Sequence, residues 1–234
     1  MVKTFANRDE PNVIAGSVVI CPPGSTGRKR LTQIDVALTL VLGIILLCPS
    51  GMLAQERIGN ATAGISIVPP AGWHVTSMQQ VMQNRSQMRL PDEQLQAGLQ
   101  RATAPLFVFS KYQEPHAALN PTVQVVLRPR PASLPNSPTA LLGVATATLQ
   151  KAFPDFRFVD PIQDARVSGL RAAYMKATYT LRTAGGGEHR VLSRTWLVPR
   201  GSFMFLVGMS GAPEGPDLSE AEFAEALKSV LIDK

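Results

Sequence analysis

The stretch LRTAGGGEHR, residues 181–190, sets three consecutive glycines between two charged arms. Each arm continues into a long run that alternates like a strand, LRAAYMKATYTLR before it and HRVLSRTWLVP after it. A phosphate-cradling glycine loop needs a helix directly after it, so that N–H groups converge on the anion. The segment after Gly187 alternates instead, and the glycines read as a hairpin corner. A three-residue loop of Gly185, Gly186 and Gly187 pairs Ala184 with Glu188 and fixes the register outward from there. One face then collects Ala173, Met175, Ala177, Tyr179 and Leu181 with Val191, Ser193, Thr195 and Leu197, a mostly apolar side for the core. The other face sets Arg182 beside Arg190, Thr178 beside Arg194, Lys176 beside Trp196 and Tyr174 beside Val198. Two arginines in direct opposition cost stability, so this arrangement invites an acidic partner or a splayed, solvated pair.

That second face is the candidate partner-binding surface, made of Lys176, Arg182, Arg190, Arg194 and Trp196. Trp and Arg are the residue types that most often anchor protein interfaces. The competing reading places Trp196 beneath a helix of the same chain, with the basic stems lying along apolar surface and their tips in water.

Outward from the corner, the remaining elements arrange themselves around one sheet. GISIV (residues 64–68) is a short alternating strand, succeeded by a Pro-Pro-Ala-Gly turn and Trp73. Two helices come next, the first capped by Thr76 or Ser77 and the second opening at Pro91 with Asp92 and Glu93. PLFVFSKY and TVQVVLRP are strand runs that should be neighbours. Ser137 and Pro138 begin a helix whose Leu141, Leu142, Ala145, Leu149 and Phe153 share a face. FRFV and ARVS are further strand signals. SFMFLVGM is apolar on both parities, as a central strand covered on both faces should be. Ser219 and Glu222 form a capping-box pattern before a final helix with Phe223, Ala226, Leu227, Val230 and Leu231 on one stripe. The fold class is therefore α+β, a mainly antiparallel sheet covered by helices.

The 234 residues, 45% hydrophobic and 17% charged, suit one well-buried globular core. Residues 55–234 hold eighteen basic against fourteen acidic residues without a dense basic run, so no nucleic-acid partner is expected. Both cysteines, Cys21 and Cys48, precede that part. Upstream of it, Arg28, Lys29 and Arg30 lead into an apolar run over residues 36–47 and a small-residue neighbourhood ending at Ala54. This is the layout of a secretory signal peptide cut after Ala54. The alternative is an uncleaved membrane tether through residues 36–54. The expected organisation is an N-terminal extension with signal peptide or anchor over residues 1–54, a linker over 55–63 and a globular domain over 64–234. The expected localisation is extracytoplasmic, periplasmic or secreted.

Catalytic constellations are not assembled by the sequence. GMSGA, residues 208–212, imitates a hydrolase elbow, but it has neither the immediate helix nor a later histidine. His74, His116 and His189 have no metal-ligand spacing. No cofactor is expected.

In ISIVPPAGW (residues 65–73), VSGLRAAYMKATY (167–179) and FMFLVGMS (203–210), residues 64–234 resemble the PsbP-like family, whose fold is shared with a Ran-interacting nuclear factor and bacterial envelope proteins. The resemblance implies an α/β/α sandwich around an antiparallel sheet, no enzymatic activity, and a role as an adaptor or assembly module. The export signal and the absence of matching metal-site histidines depart from the photosynthetic branch, so a photosystem role is not implied. The expected function is a non-catalytic module that binds a protein partner in the cell envelope. The rival from another class is a carrier of a small apolar ligand between the helices near Trp73 and the sheet.

Overall fold

The computed structural model describes residues 55–116, 118–215 and 219–233. Eleven strands and four helices alternate along them. In order they are β1 (Ile58–Asn60), β2 (Ile65–Ile67), β3 (His74–Val75), α1 (Met78–Gln87), β4 (Met88–Arg89), α2 (Glu93–Arg101), β5 (Phe107–Ser110), β6 (Thr122–Pro129), α3 (Pro138–Ala152), β7 (Arg157–Val167), β8 (Leu170–Thr183), β9 (Glu188–Arg200), β10 (Phe203–Gly211), α4 (Glu220–Ser229) and β11 (Leu231–Ile232). The large sheet runs β3-β5-β6-β10-β9-β8-β4, with β7 also paired to β8, and a small sheet runs β1-β2-β11. Every pairing is antiparallel, so the fold is α+β.

Side-chain alternation divides the large sheet between two cores. On one face Val123, Val125, Phe205, Val207 and Met209 pack with Phe223, Ala226 and Val230 around α4 and with Ile65, Ile67 and Ile232 of the small sheet. On the other face Ala173, Met175, Ala177 and Leu197 pack with Leu141 and Leu142 of α3. Strand β10 serves both: Phe205 and Val207 are buried in the first core, while Met204 and Leu206 pack against the second. This is the two-sided burial its sequence predicts.

The hairpin register differs from expectation. The loop is Ala184, Gly185 and Gly186, one residue earlier than the three glycines, and Arg182 pairs with Glu188, Thr180 with Arg190, Lys176 with Arg194 and Tyr174 with Trp196. The Gly186 N–H donates to Thr183 O at 3.0 Å, the Thr183 N–H donates to Gly187 O at 2.9 Å, and Gly186 takes φ +80°. A type I turn closed by one left-handed residue explains this choice, because that geometry puts the left-handed position third in the loop. The shift moves each partner by two residues, so both faces keep their composition.

Three further differences are local. Strand β1 forms within residues 55–63, paired with β2 from Ile58–Ile67 to Asn60–Ile65. FRFV and ARVS belong to one strand, β7, made irregular by register shifts on either side of Asp160. Ser219 is the N-cap of α4 but makes no side-chain cap bond; its hydroxyl accepts from Lys111 Nζ at 3.2 Å. Ser77, by contrast, caps α1 with its side chain as its position predicts. The signal-peptide or anchor segment, residues 1–54, lies outside the described residues. No helix among the described residues is long and apolar enough to cross a membrane.

Candidate docking surface

The candidate residues occupy the face of β8 and β9 on which α4 lies, and the structure divides them into two groups. Arg194 is 4% exposed, beneath the first turn of α4. Its Nη2 donates to Glu220 Oε1, and its guanidinium carbon stands 5.2 Å from the centre of the Phe223 ring, a cation–π contact. Lys176 Nζ donates to the same Glu220 oxygen at 3.3 Å. One carboxylate thus joins α4 to two neighbouring strands. Burial alone would raise the Glu220 pKa, but the bonds and charges of Arg194 and Lys176 outweigh it and hold the carboxyl below its ordinary value.

Trp196 is half-buried at the margin of the first core and lies 4.9 Å from the Tyr174 ring, tilted by 33°. The Tyr174 hydroxyl donates to Asp160 Oδ2 on β7 at 3.1 Å. Its pKa is pushed up to about 12, first by burial and then by the bond to and charge of Asp160. The inner group of Lys176, Arg194 and Trp196 therefore contacts the chain's own helix and strands.

The outer group is open. Arg182 and Glu188, both well exposed, form an ion pair at 2.8 Å. Glu188 is thus an acidic partner of Arg182, one of the two outcomes that the opposed arginines invited. Arg89 sits opposite Arg182 across β4. In the gap on the β8 edge between β7 and β4, Asp155 Oδ1 accepts the Thr180 N–H at 3.2 Å. Burial pushes the Asp155 pKa upward, yet the Thr180 bonds and Arg182 leave it below the ordinary value.

Arg190 is exposed and forms no ion pair among the described residues. It lies where β9 outruns β10: their pairing ends at Gly211 opposite Leu192, leaving residues 188–191 without a strand partner on that side among the described residues. Continuing the register would put Pro213 opposite Arg190, and proline has no N–H to give. A cleft of about 480 Å³ opens there, lined by Glu188, His189, Arg190, Leu119, Pro213 and Glu214 among others. Because Thr183 N–H bonds Gly187 O, the alternation of an antiparallel ladder turns the backbone of Arg190 away from β8, toward this cleft. The signal for this edge is present in the sequence, as a proline four residues beyond the strand run SFMFLVGM.

Trp73 is 8% exposed, packed edge-on to Phe223 at 5.8 Å, with Nε1 donating to Glu222 Oε1 at 3.0 Å. Lys111 Nζ binds the other Glu222 oxygen at 2.9 Å. Trp73 is thus one of the packed residues of the first core, and the cleft beside Arg190 does not reach it. In the sequence Glu220 and Glu222 read only as helix-terminal acids, and nothing in local spacing ties them to strands far away along the chain. His74 is exposed on β3, His116 stacks on Tyr112 at 4.7 Å, and His189 borders the cleft. Among the described residues no group of three His, Cys, Asp or Glu side chains gathers to hold a metal.

No family model matches the chain, and no curated protein matches it in sequence. Solved structures similar to it include the cyanobacterial PsbP, CyanoP, of Synechocystis sp. PCC 6803, at 11% identity and TM-score 0.47, covering 76% of this chain and 92% of that one. LpqN of Mycobacterium tuberculosis, involved in cell envelope biogenesis, is similar at 15% identity and TM-score 0.48, with coverage of 76% and 90%. The Ran-binding protein Mog1p of Saccharomyces cerevisiae is similar at 10% identity and TM-score 0.43, with coverage of 76% and 94%. Among the solved structures similar to this chain are thus proteins of the PsbP-like kind that its sequence resembles.

Proposed function

We propose that the chain is a non-catalytic, extracytoplasmic protein-binding module that receives an extended segment of a partner protein at the unpaired edge of β9. The observation that supports this reading is the strand edge over residues 188–191, which borders an open cleft and, among the described residues, has no strand partner on the side away from β8. Unpaired N–H and C=O groups on a strand edge template an added strand, and flanking pockets then choose its side chains. Arg190 favours an acidic residue in the incoming segment. In this reading Arg182 and Arg190 are the outward part of the docking surface, while Lys176, Arg194 and Trp196 support it from beneath α4. The basic, apolar and small-residue order of residues 28–54 supports the extracytoplasmic setting.

The test is affinity capture from envelope extracts with the wild type, Arg190→Pro and Arg182→Gln. Arg190→Pro removes one outward main-chain donor and the free charge, whereas Arg182→Gln removes a charge that already has a partner. A protein recovered by the wild type and by Arg182→Gln but lost with Arg190→Pro supports the reading. Equal recovery by all three, with cooperative melting retained, overturns it.

A further inference from the structure

We propose that the end of the large sheet opposite the glycine corner docks on an anionic phospholipid surface. The four ion pairs among the described residues involve Lys111, Lys176, Arg182 and Arg194: Arg182 stands beside the glycine corner, Lys111 follows β5, and Lys176 and Arg194 pair at the middle of β8 and β9 beneath the start of α4. At the other end β7 turns into β8, β9 turns into β10, and β6 leaves the sheet. Arg128, Arg130, Arg166, Arg171 and Arg200 stand there, and none has a carboxylate partner among the described residues. Their hydrogen bonds go to neutral acceptors: Arg166 to Gly169 O, Arg128 to Thr103 Oγ1, and Arg130 to Gly201 O and Asn136 Oδ1, each at 3.0 Å. Arg166 and Arg171 are both exposed and face each other directly across β7 and β8. Like charges so placed cost stability, and neither forms an ion pair among the described residues, although Asp164 lies two positions from Arg166 on the same face of β7. Helix α3 begins shortly after Arg130 with no acidic residue in its first turn, adding the positive end of its dipole.

In the middle of this charge lies Phe203, 47% exposed, paired in register with Arg200 on one side and Pro129 on the other. From β6 to β7 the stripe crosses four strand spacings, about 19 Å. That is too wide for one phosphate or carboxylate. Separated guanidinium groups around an exposed ring, on an end built of turns, fit a plane of anionic headgroups. The arginines meet phosphates and the ring enters the headgroup boundary.

The experiment uses the full chain carrying Phe203→Trp, mixed with vesicles of phosphatidylcholine alone or of phosphatidylcholine with phosphatidylglycerol. An N-terminal apolar run that inserted would act on both compositions, and the chain carries Trp73 and Trp196 of its own, so the emission of Phe203→Trp after subtraction of the wild type in the same vesicles isolates the basic end. The expected result is a blue shift with phosphatidylglycerol alone, suppressed by high salt as the surface potential is screened. Adding Arg166→Gln, Arg171→Gln and Arg200→Gln lowers partitioning about fivefold per charge, roughly a hundredfold together. If the triple variant fails to melt cooperatively, Arg200→Gln alone carries the fivefold expectation. Equal emission with both vesicles, or a response unchanged by the substitutions, overturns the proposal. So does a shift produced by soluble polyglutamate and by neither vesicle, which assigns this end to an acidic protein partner.

Discussion

Among the described residues Arg194 is the one buried charged side chain, and its surroundings define what it does. Glu220, half-exposed, holds it from 26 positions away in the chain, and Phe223 lies within cation–π range. Removing the carboxylate leaves a desolvated guanidinium with a weaker acceptor, so Glu220→Gln should cost about 1.5 kcal/mol, at the low end for a bond to a charged group because water reaches Glu220. Arg194→Met keeps the volume and leaves Glu220 to Lys176 and solvent, so it should cost less, about 1 kcal/mol or under. Urea unfolding at neutral pH checks the order, and a larger loss for Arg194→Met than for Glu220→Gln would show that the guanidinium contributes beyond this pair. The folded pKa of Glu220 lies below its ordinary 4.5, so its contribution is complete above that value and is lost as pH falls through the folded pKa. The gap between wild type and Glu220→Gln should therefore close on acidification below about pH 4.5. Alternation alone placed Arg194 on the face it occupies; the depth of its burial depended on a helix whose acids have no local spacing with β9.

At the scale of elements, the β8–β9 hairpin separates what a pattern determines from what it leaves open. The two faces are legible because side chains alternate with a period of two, and this survives a slip of partners by two. The loop itself is ambiguous in sequence: Gly185, Gly186 and Gly187 can each occupy the left-handed position, and periodicity does not select among them. The structure selects Gly186, which lets Arg182 meet Glu188 instead of Arg190. Gly186→Ala should then cost about 1 kcal/mol, the penalty of a left-handed conformation for an L side chain. Gly185→Ala meets nothing within 4 Å and has no positive φ, so it should be neutral or slightly stabilising through the unfolded chain. Thermal unfolding reads the contrast as a melting point about 2–4 °C lower for Gly186→Ala alone. The reverse order would move the loop back onto the later glycine.

For the whole molecule, the layered α+β plan was legible in the strand runs and amphipathic helices, whereas the small sheet was hidden. Strand β1 is three residues long and β11 two, too short to show a period, and β11 reaches β2 only because the chain's last described residues return to its beginning. The large sheet also has edges, and β7 is the longer exposed one. Its outer side has no strand partner among the described residues, and it displays Phe158 at 40% and Val159 at 50% exposure. Such an edge pairs readily with another copy unless something interrupts it. Two devices do so here: register shifts flank Asp160, and Pro161 supplies no N–H at the centre of the strand. Replacing Pro161 with valine restores a donor and a β-branched side chain beside the exposed pair. Pro161→Val should therefore self-associate at concentrations where the wild type does not, seen as a rise in weight-average mass by sedimentation velocity with strand content unchanged by circular dichroism. An unchanged mass would mean that the irregularity at Asp160 protects the edge by itself, and Asp160→Val with Pro161→Val should then produce the association that the single substitution lacked.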